Sequence, residues 1–139
     1  GFSRGAVFTA ALVGQVRGLR SVVLHSGAYD LARLYKETPS PWIRRSLNPN
    51  GENNPYLFSV LAEVSNWSAP TLILHGGRDQ LIPTNQALIL RDRLEALRKP
   101  FRFAIFPEAG HRLPSDSVKE EVLSFLTQNV GSSCRTTGP

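Results

Sequence analysis

Gly1-Phe2-Ser3-Arg4-Gly5 opens the chain, and its spacing decides how the remainder is read. A G-x-S-x-G frame is the sharp turn between a strand and a helix that holds a serine hydroxyl out at the edge of a sheet. Glycine suits positions 1 and 5 because a side chain at either is expected to collide with the neighbouring strand or helix. The helix leaving the turn is expected from Ser3 to about Val16. Val7, Phe8, Ala10, Ala11, Leu12 and Val13 are apolar on more than one side, the pattern of a helix largely covered by a sheet and other layers. Gly14 and Gly18 loosen its end. Two residues precede the serine and the sequence contains no methionine, so the strand that should enter the turn is expected to be missing and the chain to be a fragment or internal segment.

Working outward, Leu19 to Leu24 reads as a short buried parallel strand ended by Ser26-Gly27. Residues 31 to 69 are irregular. Leu31 to Lys36 and Tyr56 to Val64 are expected as short helices, and Pro39, Pro41, Pro49, Pro55 and Asn48-Pro49-Asn50-Gly51 interrupt the region repeatedly. This stretch holds Tyr35, Trp42, Tyr56, Phe58 and Trp67, either the wall of a substrate pocket or the aromatic packing of a long loop onto the body. After Pro70 the pattern is regular: a strand over Thr71 to His75, a turn at Gly76-Gly77, an amphipathic helix over Thr84 to Leu97, and a strand over Phe101 to Phe106. A last helix is expected from about Ser117, with Glu120 completing a capping box and Val118, Val122, Phe125 and Leu126 on one face. Strands alternating with helices imply an α/β fold of about three parallel strands with flanking helices. Residues 1–130 are expected to form one partial domain and 131–139 a disordered tail.

The composition is that of an ordinary globular chain: 139 residues, 41% hydrophobic and 19% charged, enough for one core. No apolar run approaches the roughly 20 residues that cross a bilayer, so no membrane association is expected. The net charge of +5 comes from arginines scattered along the chain, not from a basic tract interleaved with aromatics, and no nucleic-acid partner is expected. Cys134 is the single cysteine; with no disulfide partner it favours a reducing, cytoplasmic compartment. His25 and His75, at the ends of buried strands, read as structural imidazoles bonded to backbone, since neither has a cysteine or carboxylate at metal-ligand spacing. No zinc, calcium or phosphate-loop motif is present, so neither metal nor cofactor is expected.

The chemistry lies in three residues that follow one another in the order Ser3, Asp79, His111. A serine hydroxyl is a poor nucleophile until a base takes its proton, and an imidazole serves better when a carboxylate fixes its tautomer. Asp79 and His111 each sit just beyond the carboxyl end of an expected strand and Ser3 where one should have ended, and in a parallel sheet those ends share one edge. The N–H of Arg4, at the amino end of the first helix, is the candidate donor to an oxyanion; the second donor of such a hole has no candidate in these residues. The arrangement points to a serine hydrolase acting on a peptide or ester.

Gly-Phe-Ser-Arg-Gly, Ser26-Gly27-Ala28-Tyr29-Asp30, Ala69 to Gly76 leading into Asp79 and Pro83, and Gly110-His111 together resemble the carboxyl-terminal half of an α/β-hydrolase domain. Within that superfamily the chain is most similar to the prolyl oligopeptidase family of serine peptidases and acyl-peptide hydrolases. The resemblance implies Ser3 as nucleophile, Asp79 as acid and His111 as base, with peptidase activity in a full-length parent. It also implies a sheet lacking its first five strands. Ala6, where peptidase members often have a second glycine, departs from the pattern, and carboxylesterases and dienelactone-hydrolase-like enzymes share the late motifs. The alternative from a different class is a non-catalytic fragment that pairs with a missing amino-terminal half, or with itself, through an exposed strand edge.

Overall fold

The computed structural model describes residues 1–49 and 59–130. The expected disordered tail, and Tyr56 and Phe58 of the middle stretch, lie outside the described residues. The elements are α1 (Arg4–Leu12), β1 (Val22–His25), α2 (Leu31–Glu37), α3 (Pro41–Leu47), a 3₁₀ helix (Val60–Asn66), β2 (Thr71–Gly76), α4 (Asn85–Ala96), β3 (Phe101–Phe106) and α5 (Ser115–Val130). The strands form one sheet in the order β1-β2-β3, and both pairings are parallel.

Register explains which side chains go where, because alternate residues of a strand face opposite sides of the sheet. Val22 pairs with Thr71 and Thr71 with Phe101, placing Leu24, Ile73 and Phe103 in one cross-strand row. That face packs with Ala6, Ala10 and Val13 from α1 and its end, Trp67, and Leu90 and Leu94 of α4. Leu72 and Leu74, pointing the other way, join Phe125 of α5, with Val118, Val122 and Leu126 packed alongside. The central strand β2 is buried at all six positions, which is why Leu72, Ile73 and Leu74 form an unbroken apolar run instead of alternating with polar residues.

Five elements depart from the sequence reading. α3 is a helix where the prolines read only as interruptions: Pro41 takes its first position, and the Ser40 hydroxyl accepts from Ile43 N. β1 starts at Val22 and not Leu19, because the ladder begins where the Val22 N–H meets Pro70 O at 2.9 Å. α1 is shorter than expected and covered on one side only, leaving Phe8 and Leu12 exposed. The helix expected over Tyr56 to Val64 is, in its described part, the 3₁₀ turn Val60–Asn66, capped by the Ser59 hydroxyl accepting from Leu61 N. α5 begins at Ser115, and its Val118 N–H bonds Pro114 O at 3.0 Å. Ser117 is thus inside the first turn and does not form the capping box with Glu120. Among the described residues no helix is long and apolar enough to cross a membrane.

One buried polar side chain ties this scaffold together. Gln86, in the first turn of α4 and fully buried, accepts through Oε1 from the N–H groups of Tyr29 and Asp30, each at 2.9 Å. It thereby fixes the β1–α2 loop against α4. Gln86→Leu keeps the volume but strips one buried and one partly buried amide of their acceptor, and an unsatisfied buried donor costs about 1–3 kcal/mol. The expected loss of stability is about 2–4 kcal/mol, read as a lower urea midpoint with an unchanged denaturant slope.

Candidate active site

Ser3 caps α1 with φ 52° and ψ −119°, a left-handed backbone that a residue with a side chain adopts only at a cost. Its position is held from β1, since Ser3 N–H donates to His25 O at 2.8 Å and His25 N–H donates to Gly1 O at 2.9 Å. A Cβ at Gly1 would fall inside contact distance of the Gly5 carbonyl and the Thr9 hydroxyl, as expected for the tight turn. Gly5 differs from the expectation: a Cβ there meets nothing within 4 Å among the described residues, because it points away from β1 on the open side of α1.

Asp79 follows β2 and His111 follows β3, and the two loops are zipped together through their backbones. Arg78 N–H donates to Ala109 O at 2.9 Å and Gly77 N–H to Phe106 O at 2.8 Å. Gly76 lets this happen, since a Cβ on it would overlap the carbonyl oxygens of Ala109 and Gly110. In the sequence Gly76-Gly77 reads only as a turn; the close approach of two backbones is what the turn serves.

The structure brings the three sequence-predicted side chains together. His111 Nδ1 lies 2.8 Å from Asp79 Oδ2, and His111 Nε2 lies 2.9 Å from Ser3 Oγ. An ionised carboxylate only accepts, so Nδ1 carries the proton and donates it; Nε2 then accepts from the Ser3 hydroxyl. A hydroxyl aimed at the free lone pair of an imidazole, whose tautomer a carboxylate sets, is the arrangement acyl transfer requires. Arg4 is the first residue of α1, so its N–H belongs to the turn that finds no acceptor within the helix.

The Asp79 side chain is fully buried. Burial alone raises a carboxyl pKa, but donors overcome it here: the His111 and His75 imidazoles and the N–H groups of Ile82 and Leu81 hold the group well below the usual carboxylate range. Oδ1 accepts from Leu81 N and Ile82 N, each at 2.9 Å. His75 Nε2 stands 2.9 Å from Ile82 O and 3.4 Å from Asp79 Oδ2. It is bonded to backbone as the sequence suggests, and it supports the carboxylate as well, which the sequence did not reveal. The HxxxD spacing of 75 and 79 around a strand end was the available signal. His25 departs from its expectation. Its Nε2 is buried without a hydrogen-bond partner among the described residues, and its ring packs on Phe2 instead, centroids 4.6 Å apart.

Beside Ser3 lies a cavity of about 620 Å³ whose wall includes Phe2, Val7, Leu31, Leu34, Trp42 and Ile82. Of the aromatics that read either as pocket wall or as loop packing, Trp42 lines the cavity, while Trp67 is buried in the core on the sheet and Tyr35 does not line the cavity.

Known proteins resemble the chain in sequence and in fold. Residues 1–133 match the sequence profile of the prolyl oligopeptidase family. A dipeptidyl-peptidase 5 of Porphyromonas endodontalis is 26% identical over 102 residues, covering 64% of this chain and 14% of that protein. Among solved structures, an acylaminoacyl peptidase of Pyrococcus horikoshii matches all of this chain and 24% of its own with a TM-score of 0.77 at 21% identity. The Pyrococcus furiosus esterase Pf2001 matches 92% of this chain and 51% of its own with a TM-score of 0.68 at 19% identity. These structures share the fold. The chain spans under a quarter of the length of the peptidases it matches.

The electrostatics predict two steps of acid destabilisation. Burial, and then the neighbouring His111 and His75, push His25 down to about 4. The unfolded chain protonates this imidazole near its ordinary value of about 6.5, so between those values the unfolded state binds more protons and stability falls as pH falls. Asp79, depressed instead of raised, contributes stability above its unfolded value of about 3.9, and that contribution is lost only below it. Urea midpoints should therefore drop between pH 7 and pH 5, and His25→Asn should shrink that drop. An equal drop in the variant assigns the upper step elsewhere.

Proposed function

The chain belongs to the prolyl oligopeptidase family, and from that premise we propose that it carries the acyl-transfer centre of a serine peptidase, with Ser3 as nucleophile, His111 as general base and Asp79 as the orienting carboxylate. The observation that carries this reading is the unbroken line of hydrogen bonds from the Ser3 hydroxyl through the His111 ring to the Asp79 carboxylate.

Ser3 Oγ attacks the substrate carbonyl carbon as His111 Nε2 takes the hydroxyl proton. The oxygen of the resulting tetrahedral intermediate bears a negative charge, to which the Arg4 N–H donates at the positive end of α1. The imidazolium, still bonded to Asp79, then gives its proton to the leaving amine, and the C–N bond breaks to leave an acyl-serine. Water enters, His111 removes one of its protons, and attack on the acyl carbon releases the acid and restores the serine. Asp79 remains ionised throughout, consistent with the depression of its pKa.

The cavity supports a choice of substrate. Its wall is mostly aliphatic and aromatic, with Leu31, Leu34, Ile43 and Trp42 from α2 and α3 joined by Val7 and Ile82, and with Arg4 and Ser46 as polar members beside Ser3. An apolar or aromatic side chain on the acyl side of the scissile bond gains from burial there, while a charged one loses its hydration. Family membership favours a peptide bond. The carboxylesterase alternative shares every step with an alcohol in place of the amine, and the likeness of fold to an esterase makes it worth an arm of the test.

A fluorophosphonate probe should label the folded chain at Ser3 and fail on Ser3→Ala, and Asp79→Asn should slow labelling by about three orders of magnitude or more. Peptide anilides with Phe or Leu on the acyl side should be cleaved at least about tenfold faster than those with Glu or Lys. Turnover of activated esters alone would move the reading to the esterase. A demonstrably folded chain that the probe does not label would overturn it.

A further inference from the structure

Two hydrogen bonds, at Nδ1 and Nε2, and the covalent bond from Cβ set the plane of the His111 ring. Tilting the imidazole about its side-chain torsions carries both bonds out of the ring plane and weakens them, and a contact on the ring itself narrows that motion. Phe2 supplies one: its ring centroid lies 5.3 Å from that of His111, with the planes inclined at 43°.

Phe2 is in turn held from behind. It forms a parallel bridge with His25, whose carbonyl and N–H bond the residues on either side, Ser3 and Gly1. The His25 ring packs on the Phe2 ring at 4.6 Å, inclined at 60°. The three rings form a row, His25 to Phe2 to His111, running from the edge strand to the proposed base. Phe2 remains 43% exposed, so burial in the core does not account for an aromatic here.

We propose that Phe2 is a positioning residue for His111, its ring setting the tilt of the imidazole and meeting the imidazolium that forms when Ser3 gives up its proton. The second half rests on the proposed function; the first does not. A cation within about 6 Å of an aromatic centroid is attracted to the ring, and the observed separation falls inside that range. Burial keeps His25 neutral down to about pH 4, so the far side of Phe2 adds no opposing charge at neutral pH.

The test compares Phe2→Leu, which keeps an apolar side chain and loses the ring, with Phe2→Tyr, which keeps the ring. In the full chain the Nδ1 proton of His111 is observed by proton NMR and identified by its loss in His111→Gln. Its exchange with water should be about tenfold faster in Phe2→Leu, the weight of a lost aromatic contact, and unchanged in Phe2→Tyr. The maximal rate of fluorophosphonate labelling, read at saturating probe because Phe2 also lines the cavity, should fall about fivefold to tenfold in Phe2→Leu, and Phe2→Tyr should restore it. Should Phe2→Leu fail to fold, Phe2→Met carries the same expectation. Exchange equal to that of the parent chain in the ringless variant, or an equal defect in Phe2→Tyr, overturns the proposal. A parent chain that does not label at all overturns the proposed function, and the exchange measurement still decides the role of Phe2.

Discussion

A buried carboxylate must be satisfied where it sits or it does not stay ionised, and Asp79 is where this structure meets that constraint. Its Oδ1 takes the two N–H groups of its own loop, and its Oδ2 faces His111 with His75 behind. Those donors come from three places: the loop after β2, the end of β2, and the loop after β3. Moving any one of them would leave a charge buried without its partners, so the carboxylate forces the loops into one arrangement. The backbone zip between residues 77–78 and 106–109 supplies the complementary part, an approach so close that Gly76 has no room for a side chain.

The order of the strands turns this local constraint into a site. Because β1, β2 and β3 run parallel and adjacent, their carboxyl ends lie in a row, and the loop after each strand is delivered to the same rim. Ser3 reaches that rim by a different route: its turn is bonded to the end of β1 through His25. The left-handed backbone at Ser3 is tolerated because hydrogen bonds on both sides of Phe2 hold the turn in place, and the strain leaves the hydroxyl directed at His111 and not into α1.

How much of this was legible depends on the physics of each signal. The regular elements after Pro70 were readable because buried parallel strands leave long apolar runs, as in Thr71 to His75, and an amphipathic helix leaves a period, as in Ala87, Leu90 and Leu94. Residues 3, 79 and 111 were readable because their spacing from those elements is set by topology. The limits were equally physical. Ser117 and Glu120 have the spacing of a capping box, but Pro114 already accepts the first helical bond, so the helix starts earlier. Gly5 carries the glycine of the motif, yet its need for no side chain depends on neighbours that a spacing cannot name. Phe2 and Gln86 left no signal, since their work depends on a contact across the sheet edge and on two amides 56 and 57 residues away.

In the proposed peptidase, different parts of the molecule specify chemistry and substrate. The groups around Asp79 and His111 come from strand ends and from loops locked to one another, and they are held by backbone hydrogen bonds that a change of side chain outside the motif would leave intact. The side of the cavity opposite α1 comes from α2 and α3, short helices whose packing on the body passes through Leu34, Ile82 and their neighbours and whose first turns are closed by the Asp30 and Ser40 caps. Gln86 is the link between the two, anchoring the loop that leads from β1 into α2 to the helix that comes after Asp79. Substitutions in Leu31 or Trp42 therefore alter what fits without touching the hydrogen-bonded line, whereas a change at Gln86 reaches the wall and the carboxylate loop together.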